Sequence, residues 1–308
     1  MGEIAFVFPG QGAQYPGMGL GLYESNMAAR EVFDMAEDIR PGVLELIFHG
    51  SIEDLTKTEN TQPAMFCVEL ATAAALQNAG VSPKRLAGFS LGEITALTVS
   101  GAVTAPEGFR MVIRRAQLMQ NASESAETSM AAVIKLDDGT VEGICHEFMN
   151  IFPVNYNYPG QVVVSGAVDE LPLFGQRVKE LGGRVVPLKV AGAFHSPYMK
   201  AAAEEFRKSA SAFDIRAPGA PVYSNMTARP YSGDPIPLLG GQICSPVLWS
   251  GTILNMICDG VDTFIEAGPG KVLSGLISRI SGEVRVYNAE DPDSLDKTVS
   301  EVLGIAKQ

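Results

Sequence analysis

Short apolar runs bounded by glycine or proline alternate along the chain with longer segments whose apolar residues recur at helical spacing. That rhythm predicts an α/β fold with a largely parallel sheet. Residues 4–8 read as a first strand, 62–78 as a helix, 85–89 as a second strand and 91–99 as the helix after it. Ser90 falls at the junction of that strand and helix.

From Met130 the rhythm changes. It gives a strand (130–136), a helix (140–149), two strands separated by Tyr158-Pro159-Gly160, a helix (169–181) and a strand (184–190). The order βαββαβ is the ferredoxin-like unit. The earlier pattern then resumes with a helix after Pro197, strands at 221–224 and 262–266, and a helix from Lys271. The expected architecture is a large α/β subdomain, residues 1–125 and 193–308, carrying an inserted ferredoxin-like small subdomain, residues 126–192. The Ser, Ala and Glu-rich stretch 121–129 reads as the first connection, and no internal repeat or low-complexity tract is visible.

With 308 residues, 46% of them hydrophobic, the chain can bury a full core. A net charge of -12 argues against a nucleic-acid binder, which needs a basic surface. An acidic partner would need a local basic patch, for which Arg177, Lys179, Lys189 and Arg279 are candidates. Cys67, Cys145, Cys244 and Cys258 show neither a CxxC pair nor a zinc-site spacing, and read as reduced thiols. The N-terminal apolar run is too short for a signal peptide and lacks its basic flank, and no run approaches the roughly 18 residues of a membrane span. A cytoplasmic monomer without nucleic-acid or membrane partners is expected.

Gly88-Phe89-Ser90-Leu91-Gly92 fits G-x-S-x-G, in which small residues flank the serine because a sharp strand-to-helix turn leaves little room. Such a turn exposes the hydroxyl at a helix N-terminus, where free backbone N–H groups can stabilise an oxyanion. A serine that merely caps the helix would give the same pattern.

A serine hydroxyl becomes a good nucleophile when a base takes its proton, and histidine is the usual base. His49 lies in a polar connection and His146 in a helix beside Glu147. His195 follows Ala191-Gly192-Ala193 at the end of the strand 184–190, and Ser196-Pro197 after it reads as an N-cap and first helical position. That places it at the C-terminal end of a strand, where open α/β sheets put their sites. Asp214, Asp262 and Glu266 are possible acidic partners, and a backbone or amide carbonyl would orient the ring equally well.

On a helical wheel of residues 109–120, Arg110, Arg114 and Gln117 share a polar arc, while Arg115 falls on the apolar side between Met111 and Met119. A guanidinium there needs a partner, ideally a bidentate carboxylate from an internal acid or from a substrate. The glycine-rich Gly10-Gln11-Gly12-Ala13-Gln14-Tyr15 lacks the third glycine of a dinucleotide fingerprint, and Gly268-Pro269-Gly270-Lys271 lacks the Ser or Thr of a phosphate loop. The first can supply a second oxyanion donor. The second reads as a structural cap.

Several blocks resemble one family. They are Phe6-Val7-Phe8-Pro9-Gly10-Gln11-Gly12, Thr61-Gln62-Pro63-Ala64, Ser90-Leu91-Gly92-Glu93, Asn157-Tyr158-Pro159-Gly160-Gln161-Val162-Val163, Phe194-His195-Ser196-Pro197 and Glu266-Ala267-Gly268-Pro269-Gly270-Lys271. In this order they resemble the malonyl-CoA:acyl carrier protein transacylases of bacterial fatty-acid synthesis and the related acyltransferase domains of polyketide synthases. The resemblance implies an α/β-hydrolase-like large subdomain, a ferredoxin-like small one and an active site between them. It implies Ser90 as the acylated nucleophile, His195 as the general base and the backbone N–H groups of Gln11 and Leu91 as the oxyanion hole. Arg115 would grip the malonyl carboxylate, the carbonyl of Gln242 would orient the histidine, and Asn225 would lie near it. The implied substrates are malonyl-CoA and the phosphopantetheine thiol of acyl carrier protein, with no metal or permanently bound cofactor.

Phe194 resembles the malonyl-selective pattern of polyketide acyltransferases. Phe89 departs from the family, which usually has His before the nucleophile. An apolar ring there bears on acyl selectivity and on the exclusion of water. The competing readings are a free-standing acyltransferase of a polyketide pathway, a serine hydrolase that clears acyl groups from carrier proteins, and a non-catalytic docking module.

Overall fold

A computed structural model describes residues 2–188, 190 and 192–304, so Lys189 lies outside the described residues. The strands are β1 (Glu3–Phe8), β2 (Arg85–Gly88), β3 (Thr128–Ile134), β4 (Ile151–Tyr158), β5 (Gln161–Ala167), β6 (Arg184–Pro187), β7 (Val222–Tyr223), β8 (Val261–Ala267) and β9 (Arg285–Ala289). They form two sheets. A five-stranded sheet has the order β7-β2-β1-β8-β9, and every pairing in it is parallel.

Strand β1 lies at its centre and is apolar on both faces, as a strand covered on both sides must be. Phe6 and Phe8 join one core cluster with Met65, Val68 and Leu97. Ala5 and Val7 join another with Trp249, Ile253 and Leu273. The helix Thr58–Asn78 is buried along most of its length, which is why its apolar pattern is nearly continuous.

The second sheet is antiparallel, with the order β4-β5-β3-β6. The helices Asp138–Cys145 and Leu171–Glu180 supply Val141, Ile144, Phe174 and Val178 to a third cluster, which includes Ala131 and Val133 of β3 and Val162 of β5. This is the ferredoxin-like βαββαβ arrangement expected from the sequence. Strand β4 also reaches the rest of the chain. The Tyr156 N–H donates to the Val247 carbonyl at 2.9 Å, and the Val247 N–H to the Val154 carbonyl at 2.8 Å.

The strand expected over 184–190 stops at Pro187. Proline brings no N–H to the ladder, one further bond to β3 runs from the Leu188 N–H to the Met130 carbonyl at 2.9 Å, and Gly192 turns the chain at φ 119°. His195 therefore lies in a loop well past the strand and not at its C-terminal end, with a left-handed φ of 62°. The helix expected over 140–149 runs from Asp138 to Cys145, capped by Asp137, whose side chain accepts the Thr140 N–H. Ser196 and Pro197 are the N-cap and first position of a helical turn, as the sequence indicated.

Candidate active site

Ser90 sits between β2 and the helix Gly92–Val99 with a φ of 55°. Packing imposes this strained turn. A Cβ on Gly88 would lie 1.9 Å from the Gly92 backbone, and one on Gly92 would lie 2.3 Å from the Phe8 carbonyl oxygen. The two glycines of the motif are thus required by contact with backbone. Asn225 holds the turn from the side, accepting the Ser90 N–H at 2.7 Å and donating to the Gly88 carbonyl at 2.6 Å. None of its hydrogen bonds goes to His195, so it braces the serine turn.

His195 Nε2 lies 2.8 Å from Ser90 Oγ, and Nδ1 lies 2.9 Å from the backbone carbonyl of Gln242. A carbonyl can only accept, so Nδ1 carries the proton and Nε2 is free to accept the serine hydroxyl. Burial, together with the nearby Arg115 cation, lowers the imidazole pKa to about 4. The ring is therefore a neutral base at neutral pH. The three acids considered from sequence are engaged elsewhere: Asp214 with Arg216, Asp262 with Arg285, and Glu266 with the N–H groups of Leu273 and Ser274.

Arg115 comes from the buried side of the helix Ala105–Ser123 and is 0% exposed. Its Nη1 donates to Gln62 Oε1 at 2.7 Å, and its Nη2 donates to Ser90 Oγ at 3.0 Å and Gln242 Oε1 at 2.8 Å. Nε has no partner, and no Asp or Glu among the described residues forms a salt bridge with the guanidinium. Burial draws its pKa down to about 10, with Glu93 acting against that shift, so the group stays cationic at neutral pH.

Ser90, His195, Arg115 and Gln62 line one cleft with Gln11, Leu91, Phe89 and Phe194, and Met130 and Asn155 of the antiparallel sheet complete its lining. The Gln11 and Leu91 N–H groups donate to no protein acceptor among the described residues. Phe89 packs on Trp249 with ring centroids 5.5 Å apart. His49 and His146 do not line the cleft. Of the candidate docking residues, Arg177 pairs with Glu147 and Glu180, Arg279 stacks on Tyr158, and Lys179 is exposed.

Sequence reasoning assigned no role to Gln62, Glu93 or Asn155. Gln62 and Glu93 stood inside quoted motif blocks. Their positions, wholly or almost wholly buried yet polar, are what mark them out.

A nucleophile elbow paired with a carbonyl-oriented imidazole defines a serine enzyme that moves acyl groups through an ester. Residues 5–279 match the acyl transferase domain family, and the chain belongs to it. The malonyl CoA-acyl carrier protein transacylase of Bacillus subtilis is 37% identical over 97% of both chains. Among solved structures, the transacylase of that name from Clostridium perfringens superposes with a TM-score of 0.95 at 37% identity, covering 98% of each chain. A malonyl-transacylase in complex with its type II PKS acyl-carrier protein gives a TM-score of 0.93 at 32% identity, over 97% of this chain and 99% of that one.

Proposed function

We propose that the protein transfers a malonyl group from malonyl-CoA to the phosphopantetheine thiol of an acyl carrier protein, through a malonyl-Ser90 ester, to supply fatty-acid elongation. The observation that carries this reading is Arg115. A buried guanidinium that touches the nucleophile oxygen, and makes direct contact with no acid among the described residues, suits an acyl group bearing a carboxylate. The family membership and the transacylase relatives support the same conclusion.

In the first half-reaction His195 Nε2 takes the Ser90 proton as Oγ bonds to the thioester carbonyl carbon. The Gln11 and Leu91 N–H groups face the developing oxyanion. The C–S bond then breaks, and the proton passes from His195 to the CoA sulfur. In the second, the carrier thiol gives its proton to His195 and its sulfur bonds to the acyl carbon. The ester C–O bond breaks and Ser90 regains its proton. Neither half-reaction calls on a permanently bound cofactor.

We place the cleft between a large subdomain, residues 1–125 and 193–308, and a small one, residues 126–192. The protein acts as a cytoplasmic monomer. The carrier-bound relative favours a second reading, in which the recipient is a polyketide carrier protein. Incubation with malonyl-CoA and holo carrier proteins of both kinds tests these readings. Malonylated fatty-acid carrier is the expected product. Preferential loading of the polyketide carrier would favour the second reading, and release of free malonate in place of either would make the protein a hydrolase.

A further inference from the structure

Glu93 lies in the first turn of the helix Gly92–Val99, is 0% exposed, and does not line the cleft. Its Oε2 accepts from Gln242 Nε2 at 2.8 Å and from the Asn225 N–H at 3.1 Å, and its Oε1 accepts from the Tyr231 hydroxyl. The Gln242 amide also donates to the Ser90 carbonyl at 2.6 Å. With Nε2 committed on that side, Oε1 faces Arg115, whose Nη2 donates to it at 2.8 Å. One carboxamide thus stands between a buried anion and a buried cation.

The consequence is electrostatic. A direct ion pair would occupy the guanidinium edge and withdraw it from Ser90. At one amide's remove, Glu93 still stabilises the Arg115 cation through space, yet Arg115 keeps its contact with Ser90 Oγ. With Glu93 ionised, the two charges sum to zero. A malonyl carboxylate on Arg115 brings the buried set to minus one, whereas an acetyl group leaves it neutral.

We propose that Glu93 is a specificity-setting and positioning residue: it fixes the Gln242 amide and, as the resident counter-charge of Arg115, opposes the malonyl carboxylate, keeping malonyl-Ser90 from becoming too stable to pass on. The proposal rests on the malonyl transfer described above. Affinity spent on the acyl-enzyme ground state does nothing to speed the second half-reaction, so a moderated ester favours turnover. Burial pushes the Glu93 carboxyl up to about 7, with its hydrogen-bond donors and Arg115 drawing it back. This agrees with a charge held in near balance.

The test is an equilibrium. Wild type and Glu93→Gln are mixed with malonyl-CoA and free CoA at mildly alkaline pH, and intact mass gives the acylation constant, [acyl-enzyme][CoA]/[enzyme][acyl-CoA]. The same is done with acetyl-CoA. The substituted side chain can keep its oxygen towards Gln242 and Asn225 and turn its NH2 to the Tyr231 hydroxyl, which can accept, so charge is lost and geometry kept. The malonyl constant is expected to rise about tenfold and the acetyl constant to stay within about twofold. A malonyl constant that stays level or falls, or an equal change for both acyl groups, overturns the proposal. Tyr231→Phe weakens the charged form of Glu93 without touching Gln242. Measured near pH 8, where most of the wild-type carboxyl is ionised, it should raise the malonyl constant about threefold by the same charge argument, and no rise counts against the proposal. Wild-type malonylation separates the two levels: if wild type is never malonylated, the transfer reading itself fails. If wild type is malonylated but the variants show no shift, only the role of Glu93 is lost.

Discussion

Arg115 Nη2 donates to Ser90 Oγ at 3.0 Å, so the cation that would bind a carboxylate and the atom that would carry the acyl group are already in contact. Selectivity and chemistry therefore meet at one oxygen. Replacing Arg115 with Ala removes a partner that only a charged acyl group needs. Malonyl transfer should fall by about a hundredfold or more, equivalent to roughly 3 kcal/mol, and acetyl transfer much less. Paired kcat/KM values for malonyl-CoA and acetyl-CoA check this, and equal losses would make Arg115 structural.

The pH dependence follows from His195. A base works when neutral, and a lowered pKa extends the neutral range downward. The folded ring should therefore remain a base until pH approaches about 4, in place of losing activity near its ordinary 6.5. Labelling of Ser90 by a neutral sulfonyl fluoride reads this without a substrate charge. The rate should show no inflection around 6.5 and fall as pH nears 4.

Asn225→Ala leaves the Ser90 N–H without the side-chain acceptor it has at 2.7 Å. The turn loses its brace, at a cost of about 1–3 kcal/mol for an unsatisfied buried group. Both stability and the acylation rate should drop, and urea titration with single-turnover acylation measures the two. A variant of unchanged rate would show that the strained turn holds itself.

Gly92→Ala forces a methyl to within 2.3 Å of the Phe8 carbonyl oxygen, where only backbone can yield. Overpacking against backbone costs about 3 kcal/mol or more. The unfolding midpoint in denaturant should fall steeply, whereas Gly143→Ala, where an added Cβ meets nothing within 4 Å, should leave it nearly unchanged.

Much of this site was legible in sequence because its signals are local. The flanking glycines of Ser90, the Ser196-Pro197 cap beside His195 and the apolar helical face of Arg115 each follow from a few neighbouring residues. The partners of these residues were harder to see. Gln242 reaches His195 through its backbone carbonyl, which has no residue-type signature, and Glu93 meets Gln242 across 149 positions of chain. Asp262 and Glu266 looked available because their partners are distant in sequence or belong to the backbone, whereas Asp214 pairs with Arg216 only two residues on, a contact the sequence did offer. The end of β6 is overrun for a different reason: Val190 continues the apolar pattern, whereas bonding to β3 among the described residues reaches no further than the Leu188 N–H. The helices before Thr58, and β9 with the final helix Pro292–Leu303, had no part in the site and drew no reading.

The acyl group is expected to ride on Ser90. Intact mass after brief mixing with malonyl-CoA tests it most directly. One added malonyl group on the wild-type chain, mapped to the peptide containing Ser90 and absent from Ser90→Ala, is the predicted result. A wild-type chain that stays unmodified, or a Ser90→Ala chain that is malonylated to the same extent, would rule out Ser90 as the acyl carrier.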